Sequence, residues 1–373
     1  MAPASPYTLR WGIIATGGIA EVFCKDLLTD PACREVYDVR HEIVAVSSSS
    51  SVDRATQFVT KIDGPSSIKA YGSYAELVAD PQVDIVYVAT PHSHHFQNAM
   101  LALHAGKHVL CEKSLTVTAA QAKTLVDTAS AKGLFLLDAA WIRFFPLSIK
   151  IREMIAAGDI GSVHRTVADL SLNETNGRDD GTVGLADSHR LVNKDLAGGA
   201  LLDLGVYALT WVFQTLYHQA PQRESPRVMA SVIQSVGIAT ASMLVATNPD
   251  GSNSAPAVRI QGSRGEIQVS HPAYRPTEFK VIKEGRGGNI DVVDCPIPKD
   301  PKRDWGHGMF WEADECARCL RDGKMESDTL PWSESLAIME TMESVLKQGR
   351  VEYPELITTN VFDEKSPLNT GRQ

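Results

Sequence analysis

The chain has no surplus of positive charge, no long uninterrupted apolar run and few cysteines, and each absence removes a class of function. Thirty-six Lys and Arg stand against 45 Asp and Glu, a formal net charge of -9. The bulk field therefore repels nucleic acid and anionic membrane, while a local basic pocket for a phosphate is still allowed. No stretch reaches the ~18 uncharged apolar residues that a membrane helix needs, so no membrane partner is expected. Met1–Arg10 holds no apolar core of a secretory leader, and Asn369–Gln373 is no retrieval or peroxisomal signal, so the expected compartment is cytoplasmic. The six cysteines, Cys24, Cys33, Cys111, Cys295, Cys316 and Cys319, are too scattered for a disulfide framework. Cys316 and Cys319 form a CxxC, but inside the helical run Glu312–Leu320 and without a second cysteine or histidine pair. Structural thiols are expected there, and no metal. No internal repeat is present, and the only biased tract is Ser47–Ser51.

What is present fits a two-domain globular protein. A chain of 373 residues exceeds what one core usually serves. Hydrophobic residues at 43% and charged residues at 22% are ordinary for a globular protein, so disorder is excluded. The first part alternates strand and helix signals: strands at Leu9–Ala15, His41–Ser47, Asp84–Ala89, His108–Cys111 and Leu134–Leu137, and helices to about Leu28, then at Arg54–Lys61, Ser93–Ala105 and Thr118–Lys132. This rhythm predicts an α/β Rossmann domain with a doubly wound parallel sheet over residues 8–140. After one more helix, Leu147–Ala157, the pattern becomes short strands: Ser162–Leu172, Arg227–Ser235, Gly237–Val245, Ala257–Gln261, Glu266–Val269, Phe279–Ile282 and Asp291–Cys295. Helices return at Met309–Leu320 and Ser333–Gln348. An α+β domain over residues 141–373, with a large, mostly antiparallel open sheet, is expected to hold the substrate and to pair subunits.

Five segments carry candidate chemistry, and each has a plainer reading. Gly12-Ile-Ile-Ala-Thr16-Gly17-Gly18-Ile19-Ala20 follows the first strand and opens a helix. Such a turn lets a pyrophosphate approach backbone N–H groups at a helix N-terminus, although any strand–turn–helix connection looks similar. Ala15 and Ala20 stand where two of the usual three glycines would be. The second strand ends in Ser47–Ser51, where NAD enzymes place an Asp or Glu for the ribose 2′-OH. Ser48 and Ser49 donate hydrogen bonds and Arg54 adds charge, which favours NADP; Asp53 opposes it, and a Ser-rich turn is the plain alternative. Thr90-Pro91-His92-Ser93-His94-His95 sits at a strand's carboxyl end, where the cofactor crevice of such a sheet lies; without a carboxylate the histidines do not read as a metal site. Glu112-Lys113 ends the next strand, either facing the same crevice or forming a surface ion pair. Gly198-Gly199-Ala-Leu-Leu-Asp203-Leu-Gly-Val-Tyr207 puts Asp203 and Tyr207 four apart on one helix face, as a functional pair or as a packed helix with a core tyrosine.

The order of a Gly-turn start, an EK strand end and a GG-x-L-x-D-x-G-x-Y helix resembles the Gfo/Idh/MocA oxidoreductases, across nearly the whole chain. Ala139-Ala-Trp141-Ile-Arg143-Phe144-Phe145-Pro146 and Leu330-Pro-Trp-Ser-Glu-Ser335 are similar to the dimeric dihydrodiol dehydrogenase branch. The resemblance implies that Lys113 and Tyr207 are a catalytic pair, supported by Asp203. It also implies an NADP-dependent oxidation at the anomeric carbon of a pyranose such as D-xylose, yielding a lactone. Oxidation of an aromatic diol by the same residues, or a non-catalytic NADP-binding regulator on the same fold, are the alternatives. Trp141, Phe144 and Phe145 would then line the sugar's C–H face, and Arg143 and Arg190 would donate to its hydroxyls or to the cofactor. A homodimer through the C-terminal sheet is implied as well. Three departures stand out: Ser114 where the family reads Pro, predicting a looser turn; Asp138 where Glu is common; and a short run between Ser231 and Ala239, where relatives carry a further strand.

Overall fold

The computed structural model describes residues 5–170, 184–220, 223–235, 238–240, 256–283 and 290–370. Contacts divide the chain into two compact units: Met1–Trp141 with Ile297–Met339 and Pro354–Gln373, and Ile142–Pro296 with Glu340–Tyr353. The single break expected near residue 140 marks one crossing, but the second part does not run on to residue 373. The chain returns to the first unit twice.

In the first unit six strands form one parallel sheet: β1 (Tyr7–Ile14), β2 (Val39–Ser47), β3 (Lys69–Tyr71), β4 (Ile85–Val88), β5 (His108–Glu112) and β6 (Leu136–Ala139), in the order β3-β2-β1-β4-β5-β6. That order reverses between β1 and β4, so the carboxyl ends of these two strands border the switch point where such sheets bind ligands. Helices α1 (Gly18–Leu27), α2 (Val52–Lys61), α3 (Tyr74–Ala79), α4 (His92–His104) and α5 (Ala119–Lys132) connect them. Central strands buried on both faces explain the near-continuous apolar run Ile-Val-Tyr-Val of β4, every residue of which is buried. α5 starts at a reciprocal capping box of Thr118 and Gln121 and ends at Gly133 with φ 65°, as the sequence predicts. β3 and α3 are additional to the expected elements. Three residues, Lys-Ala-Tyr, give no readable apolar pattern, but Ser73-x-x-Glu76 is a helix-start signature: the Ser73 hydroxyl accepts from Glu76 N and donates to its carboxylate.

The returning helix α8 (Phe310–Arg321) is fixed to this unit by buried polar groups. The Asp26 carboxylate at the end of α1 accepts from the backbone N–H of His307, Gly308, Met309 and Phe310 at 2.8, 2.8, 2.6 and 3.3 Å. Met309 and Phe310 are the N-cap and first residue of a helix that has no side-chain cap of its own, and His307 and Gly308 belong to the segment that leads into it. Burial pushes the Asp26 carboxyl up to about 6 against the pull of the four donors, so at neutral pH it is ionised and purely an acceptor. On the far side, Arg34 grips Asp314 with two nitrogens at 2.9 and 2.8 Å. His41 donates from Nε2 to the same carboxylate (2.9 Å) and accepts the Trp11 indole N–H (3.1 Å) on Nδ1, which fixes its tautomer. Cys316 and Cys319 lie buried on α8, and burial raises both thiols, to about 12 for Cys319, so they stay protonated packing groups.

The second unit begins with α6 (Pro146–Ala156) and contains a five-stranded antiparallel sheet: β7 (Val163–Ala168), β10 (Val258–Gly262), β11 (Gly265–Val269), β12 (Glu278–Lys283) and β13 (Ile290–Asp294), in the order β13-β12-β11-β10-β7. Val258, Ile260, Ile267, Val269, Phe279 and Val281 bury one face. Of the strand expected over Arg227–Ser235 the structure forms β8 (Ile233–Ser235), and of that expected over Gly237–Val245 it describes β9 (Ile238–Thr240); among the described residues the two pair with each other. Residues 241–245 lie outside the described residues.

One helical run, Lys194–Tyr217, is long and apolar enough by length and composition to cross a membrane, which the charge-based sequence reading passes over. It contains the buried Asp203, and 61% of its apolar window is buried inside the protein, as in a core helix.

Asp26→Ala removes the carboxylate that accepts from the buried N–H groups of Gly308, Met309 and Phe310 and from His307 N. It is expected to lower unfolding free energy by about 3 kcal/mol, and Asp26→Asn by less, measured as the shift of the urea midpoint at constant slope.

Candidate active site

The phosphate-binding turn is built from the end of β1 onward. Gly12 is not part of it. It lies inside β1, paired with Ala45 and Val86, and a Cβ there would come within 2.9 Å of Leu77 and Val83. Its missing side chain seats α3 rather than a cofactor. The turn itself runs through Ala15, at φ 80°, where glycine is the usual residue, and the half-buried Thr16. Gly17 and Gly18 follow, exposed; a Cβ on either meets nothing within 4 Å. Gly17 is the N-cap of α1 and supplies no side-chain cap, and Ile19 in the first turn is 38% exposed. Open space over an uncapped helix start suits an anionic diphosphate.

The end of β2 contributes hydroxyls and no carboxylate. Ser48 is buried, its Oγ 2.9 Å from the Ser50 Oγ. Ser49 is half-buried. Ser51 caps α2 by accepting from Arg54 N, and the side chains of Asp53 and Arg54 are both exposed.

At the end of β4, Thr90 is buried and its Oγ1 has no partner among the described residues. A buried hydroxyl in that state at a switch point has hydrogen-bonding capacity that a ligand could use. Pro91 is the exposed N-cap of α4. His92 and His95, expected to face the cofactor, instead hold the neighbouring strand end. The His92 ring nitrogen meets the Lys113 carbonyl at 3.2 Å. The His95 ring spans the Ser114 and Thr90 carbonyls, at 2.8 Å each. Burial drops His95 to about 4, so its neutral ring donates to one of the two. Among the described residues no group of His, Cys, Asp and Glu suits a metal ion.

Glu112 likewise serves the turn more than the cofactor. It is buried, accepting the Tyr87 hydroxyl on Oε1 (2.5 Å) and the Lys113 backbone N–H on Oε2 (3.1 Å). Lys113 is half-buried, and the Lys113–Ser114 peptide is cis. With Ser114 buried and its carbonyl bonded by His95, the looser turn expected from losing the proline is not what forms.

In the second unit, Asp203 sits in a wide π-helical turn, Leu201–Gly205, and Tyr207 opens the α-helix Val206–Val212 that follows. Both are buried, and the Tyr207 ring lies 5.9 Å from that of Tyr274. Tyr274 was not singled out by the sequence reading, since it falls in a connection with no recognisable motif. Arg190 donates to Asp203 at 2.8 Å. The glycines of the GG motif make that possible: a Cβ on Gly198 would lie 2.8–2.9 Å from backbone atoms of Arg190 and Asn193. The Tyr353 hydroxyl then fixes the Gly198 carbonyl at 2.7 Å. Arg190 is thus a partner of Asp203, still more than half exposed. Arg143 is not the open donor expected: it is fully buried, with Nη2 3.3 Å from His218 Nδ1. Phe144 and Phe145 are also packed in the core. Trp141, in the first unit, is 3% exposed and stacks on His307 at 5.1 Å.

The sequence profile of the Gfo/Idh/MocA oxidoreductase family, with its NAD-binding Rossmann fold, matches residues 9–138. A D-xylose 1-dehydrogenase (NADP(+)) from Hypocrea jecorina is 64% identical over 395 aligned positions, covering all of both chains. The chain belongs to the Gfo/Idh/MocA oxidoreductase family. The human trans-1,2-dihydrobenzene-1,2-diol dehydrogenase is 34% identical over 93% of this chain and 98% of its own. Among solved structures, a levoglucosan dehydrogenase in complex with NADH and levoglucosan superposes with a TM-score of 0.71 at 17% identity, covering 93% of this chain and 99% of that one. A 3-ketoreductase from Actinomadura kijaniata in complex with NADP gives 0.67 at 21%, covering 91% and 97%. These two support the fold. The alignment with the Hypocrea relative spans 395 positions against 373 residues, so at least 22 positions carry no residue of this chain.

Proposed function

We propose that this protein oxidises D-xylose at its anomeric hydroxyl to D-xylono-1,5-lactone, with NADP as hydride acceptor. The observation that carries the reading is the full-length 64% identity to an enzyme named for D-xylose and NADP(+). The residues of the first unit fit the cofactor: the open Gly17–Gly18 turn, the unpartnered Thr90 hydroxyl, and a β2 end with hydroxyls in place of a carboxylate. Gly17, Gly18 and Ile19 would hold the diphosphate, Ser48, Ser49 and Arg54 the 2′-phosphate, and Thr90 and Pro91 the stretch nearer the reacting ring. When bound, the nicotinamide supplies the hydride acceptor.

The remaining chemistry belongs to Lys113, Tyr207 and Asp203. Tyr207 accepts the proton of the sugar hydroxyl as the hydride leaves carbon. A tyrosine ordinarily ionises near pH 10, so it needs a neighbouring positive charge to act at neutral pH. Lys113 supplies that charge. Asp203, anchored by Arg190, orients the helix turn that carries Tyr207.

We further propose a cytoplasmic homodimer. The open face of the second unit's sheet carries exposed Val167, Ile290 and Val292 around the Arg259–Glu266 ion pair, a mixture suited to a subunit contact.

Purified protein with D-xylose and NADP should produce NADPH absorbance at 340 nm, with NADP binding at least about tenfold tighter than NAD. Faster turnover of an aromatic trans-dihydrodiol than of any pentose would overturn the substrate assignment, and equal titrations would overturn the cofactor preference. Tyr207→Phe keeps the ring but removes the acceptor, so turnover should fall by roughly 10²–10⁴ with NADP affinity little changed. Lys113→Met should fall similarly, and the double variant should be little worse than either; independent, multiplicative losses contradict a coupled pair. Light scattering at micromolar concentration should return twice the chain mass, and a monomer would refute the dimer.

A further inference from the structure

Two neighbouring strand ends of the first unit carry residues assigned to ligands, and one side chain spans them. β4 and β5 pair in parallel, and their register ends with Val88 beside Cys111. The chain beyond, at Thr90 and at Lys113–Ser114, has left that ladder, so ladder hydrogen bonds no longer set how far apart the two turns run.

His95 closes that gap. It lies in the first turn of α4, and its ring is 1% exposed. Nδ1 is 2.8 Å from the Ser114 carbonyl oxygen, on the β5 side. Nε2 is 2.8 Å from the Thr90 carbonyl oxygen, on the β4 side. His92, one turn earlier on the same helix, meets the Lys113 carbonyl at 3.2 Å, and its ring stands edge-on to that of His95 with centroids 5.5 Å apart. A buried histidine needs one acceptor for the single N–H of its neutral ring. Here both nitrogens stand against main-chain oxygens, and these belong to two different turns. One turn carries Thr90, whose buried Oγ1 has no partner among the described residues; the other carries Lys113. The ring has no rotatable bond between its two nitrogens, so it fixes the separation of the turns whichever carbonyl takes the N–H.

We propose that His95 is a positioning residue that couples the two turns, holding Thr90 for the cofactor and the Lys113 backbone for the reaction at one set spacing. This rests on the reading of Thr90 as a cofactor contact and of Lys113 as catalytic. Walled off from solvent, the ring acts through these neighbours and not on a ligand.

The two contacts can be removed separately. The side-chain amide nitrogen of Asn reaches the place of Nδ1, and that of Gln the place of Nε2. His95→Asn therefore keeps the Ser114 side and should weaken NADP about tenfold, with turnover within about threefold of the unaltered enzyme. His95→Gln keeps the Thr90 side and should show the reverse. His95→Leu should lose on both counts; if it does not fold, the Asn and Gln variants carry the test. NADP affinity is read by quenching of tryptophan fluorescence, without turnover. Thr90→Val should also weaken NADP about tenfold, and combining it with His95→Asn should cost little more, because the ring acts through Thr90. A packing role alone predicts that Asn and Gln impair binding and turnover in the same proportion. That result, multiplicative losses in the Thr90–His95 pair, or a His95→Leu variant within twofold on both measures would overturn the proposal. Near-normal turnover of Lys113→Met, or unchanged NADP affinity of Thr90→Val, would instead sink the reading of that residue, and the other half of the Asn–Gln split would still decide whether His95 holds its turn.

Discussion

One buried carboxylate, Asp26, receives four successive backbone N–H groups from a segment that lies about 280 residues further along the chain. A helix start sealed into a protein interior must find acceptors for its first N–H groups, because each one left unpaired costs about as much as a lost hydrogen bond. α8 has no capping side chain of its own, so it exists where it does because α1 ends in an aspartate. Once α8 is seated, Asp314 can take Arg34 and His41, and Glu312 comes within the field of the buried Glu112 and Asp138. The seating of α8 against the nucleotide-binding unit thus leans on one buried carboxylate.

The candidate site shows a division of labour between side chains that hold the backbone and side chains left for ligands. His92, His95 and Glu112 each place a polar atom on the backbone around Lys113 and Ser114. The Thr90 hydroxyl has no partner among the described residues. Lys113 is thereby fixed by groups that never need to touch a substrate, which is how a strand end can present a long flexible side chain in a defined place. In the second unit, Gly198 admits the Arg190 turn, Arg190 engages Asp203, and Asp203 lies one turn before Tyr207.

Much of the fold was legible because it is written in local patterns. Ile-Val-Tyr-Val bounded by Asp84 and Pro91 reads as a buried strand, and Thr118-x-x-Gln121 reads as a helix start. β3 was illegible because three residues carry no period, and the short pair β8–β9 because strand propensity does not say which strand a segment will join. Among site residues, spacing and resemblance point to Lys113, Asp203 and Tyr207, and the structure adds the Arg190 contact to Asp203. Gly12, Arg143 and Glu112, read from sequence as ligand contacts, make contacts within the protein that no motif announces, because a residue type that binds ligands elsewhere binds the protein itself equally well.

The sequence by itself determined the alternating β and α elements, the helix caps, the absence of a carboxylate at the end of β2, and the family to which the chain belongs. These rest on nearest-neighbour chemistry, on spacings of two to four residues and on the order of motifs. Only the tertiary structure decided that α8 returns to the first unit, that Glu112, Asp138 and Glu312 share one buried environment, and that Thr90 keeps an unpartnered hydroxyl at the switch point. The reason is physical: burial and the field of distant charges belong to the folded arrangement, and no window of sequence contains residues 26 and 309 together.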